Sequence, residues 1–158
     1  MNPDEHNIFT PLNLPMASLK LREGAKGVEV RDELRKKWLV MTPEEWVRQH
    51  FVGYLISDRE VPATRIANEI AIELNGTSKR CDSVVFGPDL KPVAIVEYKA
   101  PQIEINQKVF DQILRYNLVL KVRHLIVSNG LVHVCCRIDT ENHSYAFLRE
   151  IPRYGDLL

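Results

Sequence analysis

Asp82, Glu97 and Lys99 are the residues of this chain whose types and spacing could do chemistry. Val93-Ala94-Ile95-Val96 is apolar at every position, which marks a strand covered on both faces of a sheet. The run then ends in Glu97-Tyr98-Lys99. Strand side chains alternate, so Glu97 and Lys99 share the face of Val93 and Ile95. Asp82 to Phe86 precedes it, across a loop from Gly87 to Pro92. Pairing Phe86 with Val93 puts Asp82 directly opposite Glu97 and Arg80 opposite Lys99. Asp82, Val84 and Phe86 then lie on the Glu97 face. Opposed Cβ atoms in such a pair are roughly 4.5–5.5 Å apart. Two carboxylates at that range repel, so one of them has a raised pKa when no metal is bound. A divalent cation, which prefers oxygen ligands, removes that cost. A neighbouring ammonium can orient a water or stabilise developing negative charge. This is equipment for metal-dependent phosphodiester hydrolysis. Otherwise the pair must be satisfied by Lys79, Arg80 or Lys99. Lys79-Arg80 abuts Asp82 and is the basic cluster placed to meet a DNA phosphate, whereas Lys36-Lys37 reads as solvated surface.

The elements that position these groups follow from periodicity. Thr42-Pro43-Glu44-Glu45 starts a helix, with Thr42 as N-cap, Pro43 at the first position and Glu45 able to close a capping box. Trp46, Val47, Phe51, Tyr54 and Leu55 recur on one face, and the helix ends near Ser57-Asp58. Ile70, Ile72 and Leu74 then alternate with Glu69, Ala71 and Glu73, whose acids read as solvated, until Asn75-Gly76 stops the run. After the hairpin come a helix from about Asn106 to Leu120 and a strand at His124 to Val127. An Asn129-Gly130 turn of the tight-hairpin kind follows. Leu131 to Arg137, apolar and buried over Leu131 to Cys136, and Tyr145 to Glu150 are the last strands. The order describes an α/β domain with a mixed sheet over 42–158. Residues 1–41 form an extension: a proline-bearing arm, then a small hairpin of Leu19, Leu21, Val28 and Val30, with Lys36 to Val40 as a third strand.

Composition bounds the class. The chain has 158 residues, 45% apolar and 27% charged, which suits one soluble domain. Lys plus Arg number 21 and Asp plus Glu 21, so bulk electrostatics does not drive nucleic-acid or membrane binding. No apolar run reaches the roughly 20 residues of a membrane span, and the acidic, polar start is no secretory signal. Cys81, Cys135 and Cys136 make an odd count without a CxxC, as expected of reduced thiols in a cytoplasmic protein. The histidines follow no zinc-ligand spacing.

Asp82 followed by Glu97-Tyr98-Lys99 resembles the PD-(D/E)XK nuclease signature, with Cys81 where the eponymous proline would stand. Gln112-Ile113-Leu114-Arg115-Tyr116 resembles the QxxxY motif of RecB-like members. Thr42 to Asp139 is similar to the N-terminal nuclease domain of type I restriction enzyme R subunits. The shared features are the Thr-Pro-Glu-Glu helix, Leu-Asn-Gly…Lys-Arg-Cys-Asp, Val-Glu-Tyr-Lys-Ala-Pro and Phe-Asp-Gln-Ile-Leu-Arg-Tyr-Asn. The resemblance implies a restriction-endonuclease-like mixed β-sheet flanked by helices, with an αβββαβ core. It implies Mg²⁺, or Mn²⁺, held by Asp82, Glu97 and the Tyr98 carbonyl, with Lys99 positioning the attacking water. It adds Glu45 from the first helix, Gln112 and Tyr116 facing the site, and Lys108 and Arg115 on phosphates. The expected activity is DNA cleavage in a restriction or defence system, with other restriction-modification subunits as partners. No Walker motif is present, so the expectation is a nuclease acting without a helicase motor. Cutting both strands at once would need a second site, from a homodimer or a partner. The competing expectation is a catalytically silent nucleic-acid-binding or assembly module on the same fold.

Overall fold

A computed structural model describes residues 8–74 and 76–158, apart from the side chain of Leu74. Met1 to Asn7 and the Asn75 stop signal therefore lie outside the described residues.

Leu21–Gly24 (β1), Gly27–Asp32 (β2) and Lys37–Val40 (β3) form a three-stranded antiparallel sheet. Gly27 enters β2 at φ +114, a conformation that costs glycine little. Val30 and Met41 pack with Trp46 in a small core of their own, which Leu12, Leu19, Val28 and Leu39 flank. The arm is strapped down by backbone bonds. Trp46 Nε1 donates to the Thr10 carbonyl at 2.8 Å, and the Asn13 amide donates to the Gly130 carbonyl at 2.8 Å.

Helix α1 is Pro43–Asp58. The Glu45 amide donates to Thr42 Oγ1 at 3.0 Å, so the expected cap forms. The Glu45 carboxylate does not return to close a box: it bonds Arg35 instead.

The second sheet has six strands in sequential order: Ile66–Leu74 (β4), Thr77–Phe86 (β5), Pro92–Tyr98 (β6), His124–Ser128 (β7), His133–Asp139 (β8) and Ser144–Leu148 (β9). All neighbours are antiparallel except β6 and β7, which are parallel. That parallel pair requires a crossover, supplied by α2 (Gln107–Asn117) and a 3-10 turn at Leu118–Leu120. One core lies between the sheet and α1 and includes Phe51, Leu55, Val85, Ala94, Val96 and Tyr98. The other lies on the α2 side and includes Cys81, Val84, Ile95, Phe110, Leu114 and Leu125. β6 is covered on both faces, as its sequence demands. A short helix α3, Tyr154–Leu157, closes the described chain.

Four local expectations need correction. Phe86 pairs with Pro92 rather than Val93, because the register slips between Val85 and Phe86. This irregularity sends Val93 to the α1 core, away from Ile95. Leu131 and Val132 are exposed, and β8 begins only at His133. The reason is a longer turn than Asn129-Gly130 suggested: Asn129 Oδ1 accepts the amides of both Leu131 and Val132. Glu69 is not a solvated strand acid. It has φ +53 and its carboxylate is held by Arg48 and Arg80.

The fourth correction concerns the sheet face. Asn68 and Ser83 hydrogen-bond on the α1 side, yet their neighbours past Glu69 and Asp82, Ile70 and Cys81, pack on the α2 side. In regular strands residues two apart share a face. Both strands therefore change sides at Glu69 and Asp82. The left-handed backbone of Glu69 makes the switch on β4.

Candidate active site

The three-residue register Ser83–Val96, Val84–Ile95 and Val85–Ala94 aligns Asp82 with Glu97 at the end of the β5–β6 ladder. Asp82 Oδ2 accepts the Tyr98 amide at 2.9 Å. Its carboxylate lies within hydrogen-bonding reach of Glu97. Burial, with the Asp82 charge beside it, pushes Glu97 up to about 7. The expected repulsion between two carboxylates is thus present.

The cation that meets this pair comes from an unexpected place. After the face switch Arg80 turns away and bonds Glu69 at 2.8 Å. Lys79 points to the α2 side and donates to Glu97 Oε1 at 3.0 Å and to Asn117 Oδ1 at 2.6 Å. Its ammonium also sits 3.9 Å from the centre of the Tyr116 ring. The Lys79 side chain is only 3% exposed, so it is a buried ion-pair partner and not an open phosphate contact. Lys99 is half-buried, and among the described residues it forms no ion pair. Its amide donates to the Ser128 carbonyl, which fixes the backbone beyond Glu97.

On α2, Asn106 caps the first turn and Phe110, Ile113 and Leu114 pack against the sheet. Tyr116 is exposed apart from its contact with Lys79. Gln112 is exposed one turn earlier and, with Lys108 and Arg115, lines a shallow groove of about 540 Å³. Glu45 stands on the other side of the sheet. Its partners are Arg35 and Arg48, the latter at 3.1 Å.

That other side holds a closed polar ring. Tyr98 Oη donates to Ser83 Oγ, Ser83 Oγ to Asn68 Oδ1, and Asn68 Nδ2 to Asp32 Oδ2. Asp32 pairs with Arg35, Arg35 with Glu45, and Glu45 with Arg48. The Arg48 guanidinium lies 5.6 Å over the Tyr98 ring and pairs with Glu69 at 2.6 Å. Burial alone would raise Asp32 and Glu69. Hydrogen bonds from Arg35 and Asn68 outweigh it for Asp32, and Arg80 and Arg48 outweigh it for Glu69, so both carboxyls stay below their usual range. Sequence reading missed Asn117, Asn68 and Ser83. The signal for Asn117 is its place in the sequence, an amide among the apolar Ile113, Leu114 and Leu118, where a buried polar group needs a partner.

Asp82, Glu97 and the Tyr98 carbonyl are the oxygen donors that could hold a hard cation. Among the described residues no cluster of three or more His, Cys, Asp or Glu forms a fuller cage. A two-carboxylate donor set suits Mg²⁺, which keeps several waters. Among the described residues no helix is long and apolar enough to cross a membrane.

A model of the family described as the type I restriction enzyme R protein N terminus (HSDR_N) matches residues 43–152. A solved fragment assigned as an HsdR subunit of a type I restriction enzyme from Vibrio vulnificus YJ016 is similar at 23% identity, with a TM-score of 0.37. The match covers 59% of this chain and 18% of that one, so the chain spans less than a fifth of that neighbour's length. None of the curated proteins matches. Because the family match takes in more than half of its 158 residues, the chain belongs to the family of type I restriction enzyme R protein N-terminal domains.

Proposed function

We propose that this domain is a Mg²⁺-dependent DNA endonuclease of the PD-(D/E)XK kind, working in a restriction system. The observation that carries the proposal is the Asp82–Glu97 pair, two partly desolvated carboxylates adjoining with a single buried lysine between them and α2. A bound Mg²⁺ would supply charge neutralisation and an activated water. Asp82, Glu97 and the Tyr98 carbonyl would hold it. Asp82 is pre-oriented by the Tyr98 amide. Lys99, half-buried and without an ion pair among the described residues, is the group available to position the water and stabilise charge on the phosphate. Lys108, Gln112 and Arg115 line one exposed groove on α2 and would contact the DNA backbone. Glu45 would act through Arg48 and Tyr98 on this reading. Other restriction-modification subunits are the expected protein partners.

A nicking assay on supercoiled plasmid with Mg²⁺ or Mn²⁺, beside an Asp82→Ala control, tests the proposal. Metal-dependent nicking lost in the control is the expected result. One site cuts one phosphodiester, so nicked circles should precede linear product. Linear product with no nicked intermediate would show two sites acting together. The second reading, a silent nucleic-acid-binding or assembly module, draws on the Lys79–Glu97 bond, which satisfies one carboxylate oxygen without a metal. DNA binding with no cleavage under either metal would favour it.

A further inference from the structure

We propose that Lys79 is a tethered counter-ion for the Asp82–Glu97 pair, and that a divalent cation must displace it from Glu97 in order to bind. The displacement rests on the metal-site reading above; the counter-ion role does not.

Three features of Lys79 separate it from an ordinary strand lysine. Its side chain is almost wholly buried, which lysine tolerates only when paired. Its ammonium has a partner for each direction of approach: the Glu97 carboxylate at 3.0 Å, the Asn117 carbonyl oxygen at 2.6 Å and the Tyr116 ring at 3.9 Å. It reaches this place only because β4 and β5 change sides at Glu69 and Asp82, which removes Arg80 to the opposite face. Asn117 is itself anchored, since its Nδ2 donates to the Ile113 carbonyl at 2.8 Å. The lysine is therefore held from α2, the crossover helix, and not only by the acid it neutralises.

The consequence is competition. The Glu97 oxygen that accepts the ammonium is one that a hard cation would need. Ammonium and metal are like charges, so they cannot both sit against one carboxylate oxygen without cost. A released Lys79 stays next to the site, because its strand and the Tyr116 ring remain where they are. Metal binding is thereby coupled to the end of α2. Lys99 has no such link and should leave metal affinity almost untouched.

The test is Mn²⁺ binding to the whole chain, followed by paramagnetic resonance or calorimetry, for wild type, Lys79→Met and Lys99→Met. Lys79→Met should tighten Mn²⁺ binding about tenfold, equivalent to about 1.4 kcal/mol. Lys99→Met should change it less than about twofold. Affinity unchanged or weakened in Lys79→Met overturns the displacement, as does equal tightening in both variants. Asn117→Ser, which shortens the tether, should tighten binding in the same direction by a smaller factor, and serves if Lys79→Met does not fold. Metal-free melts of Lys79→Met, Glu97→Gln and the double variant test the counter-ion role by itself. The double variant should be clearly more stable than the two single losses added together. Additive losses overturn the counter-ion role whatever the metal does. No Mn²⁺ binding by any of the proteins overturns the metal-site reading, and the displacement with it.

Discussion

The two faces of the six-stranded sheet carry charged clusters of opposite character. On the α1 side, Asp32, Glu45 and Glu69 are matched by Arg35, Arg48 and Arg80, acid for base. On the α2 side, Asp82 and Glu97 adjoin, and Lys79, the one buried lysine among the described residues, bonds Glu97. Both clusters set carboxylates against basic side chains, and apart from the exposed Arg80 their members are half-buried or better. In the matched cluster Asp32 and Glu69 lie below their ordinary pKa range, while the unmatched one pushes Glu97 up to about 7. A structural network neutralises itself; a site left short of positive charge is prepared for an outside cation or phosphate.

The largest effect should come from unbalancing the matched side. Arg48→Met leaves Glu45 buried without its second partner and Glu69 with Arg80 alone. Breaking a buried pair in this way costs about 3–5 kcal/mol, readable in a denaturant melt. A loss below about 1 kcal/mol would show that the ring contributes little and that the contrast between the faces is false. Next comes Lys99→Ala, expected to lower cleavage by at least about 10²-fold. Its melting curve should stay within about 0.5 kcal/mol of wild type. Full nicking activity would remove Lys99 from the reaction.

The two faces should also answer pH with opposite sign. Glu97 has a folded pKa above its unfolded value of 4.5, so folding favours its protonated form. Its contribution to stability is complete below 4.5 and is lost as pH rises to about 7. Asp32 and Glu69 have lowered values, so theirs is present above the ordinary carboxylate range and is lost as pH falls below it. Metal-free melts from pH 3 to 8 should therefore peak in mildly acid solution. A monotonic rise to neutral pH would deny the strain at Glu97. The smallest effect is that of Asp82→Asn, which keeps an oxygen for the Tyr98 amide and removes one charge. Without metal at neutral pH it should be as stable as wild type, or up to about 1 kcal/mol more so. Roughly 10 mM Mg²⁺ should raise the melting temperature of wild type only. A clearly less stable variant would make Asp82 a structural partner.

How much of this could be read from sequence depends on the range of the forces involved. Pairing Phe86 with Val93 was enough to align Asp82 with Glu97, because the slip at Phe86 lies at the loop end and leaves the ladder from Val85 to Ser83 in the same register. The cap at Thr42 and the helical course of α1 are likewise written in neighbouring residues. The identity of the buried lysine was not. Arg80 faces Glu69 and Lys79 faces Glu97 because Glu69 adopts a left-handed backbone, held by Arg48 from a helix that ends before β4 begins. No local pattern signals that. Glu45 read naturally as a capping-box acid, yet Arg35 competes for it across ten residues of chain. The face of Val93 and the length of the turn at Asn129 differ from expectation for a similar reason: an irregular pair and an Asx turn shift a strand by a residue or two without changing its composition.

Asn68 on β4 donates its amide to Asp32 on β2 at 3.1 Å. The small sheet and the large one thus share one hydrogen-bond circuit, although the family match begins only at residue 43. A fragment cut at that boundary would bare Asn68 and strand Glu45 without Arg35. Residues 8–42 accordingly belong to the packed unit that would have to be expressed or exchanged together, and a piece that left them behind would open part of its own interior to water.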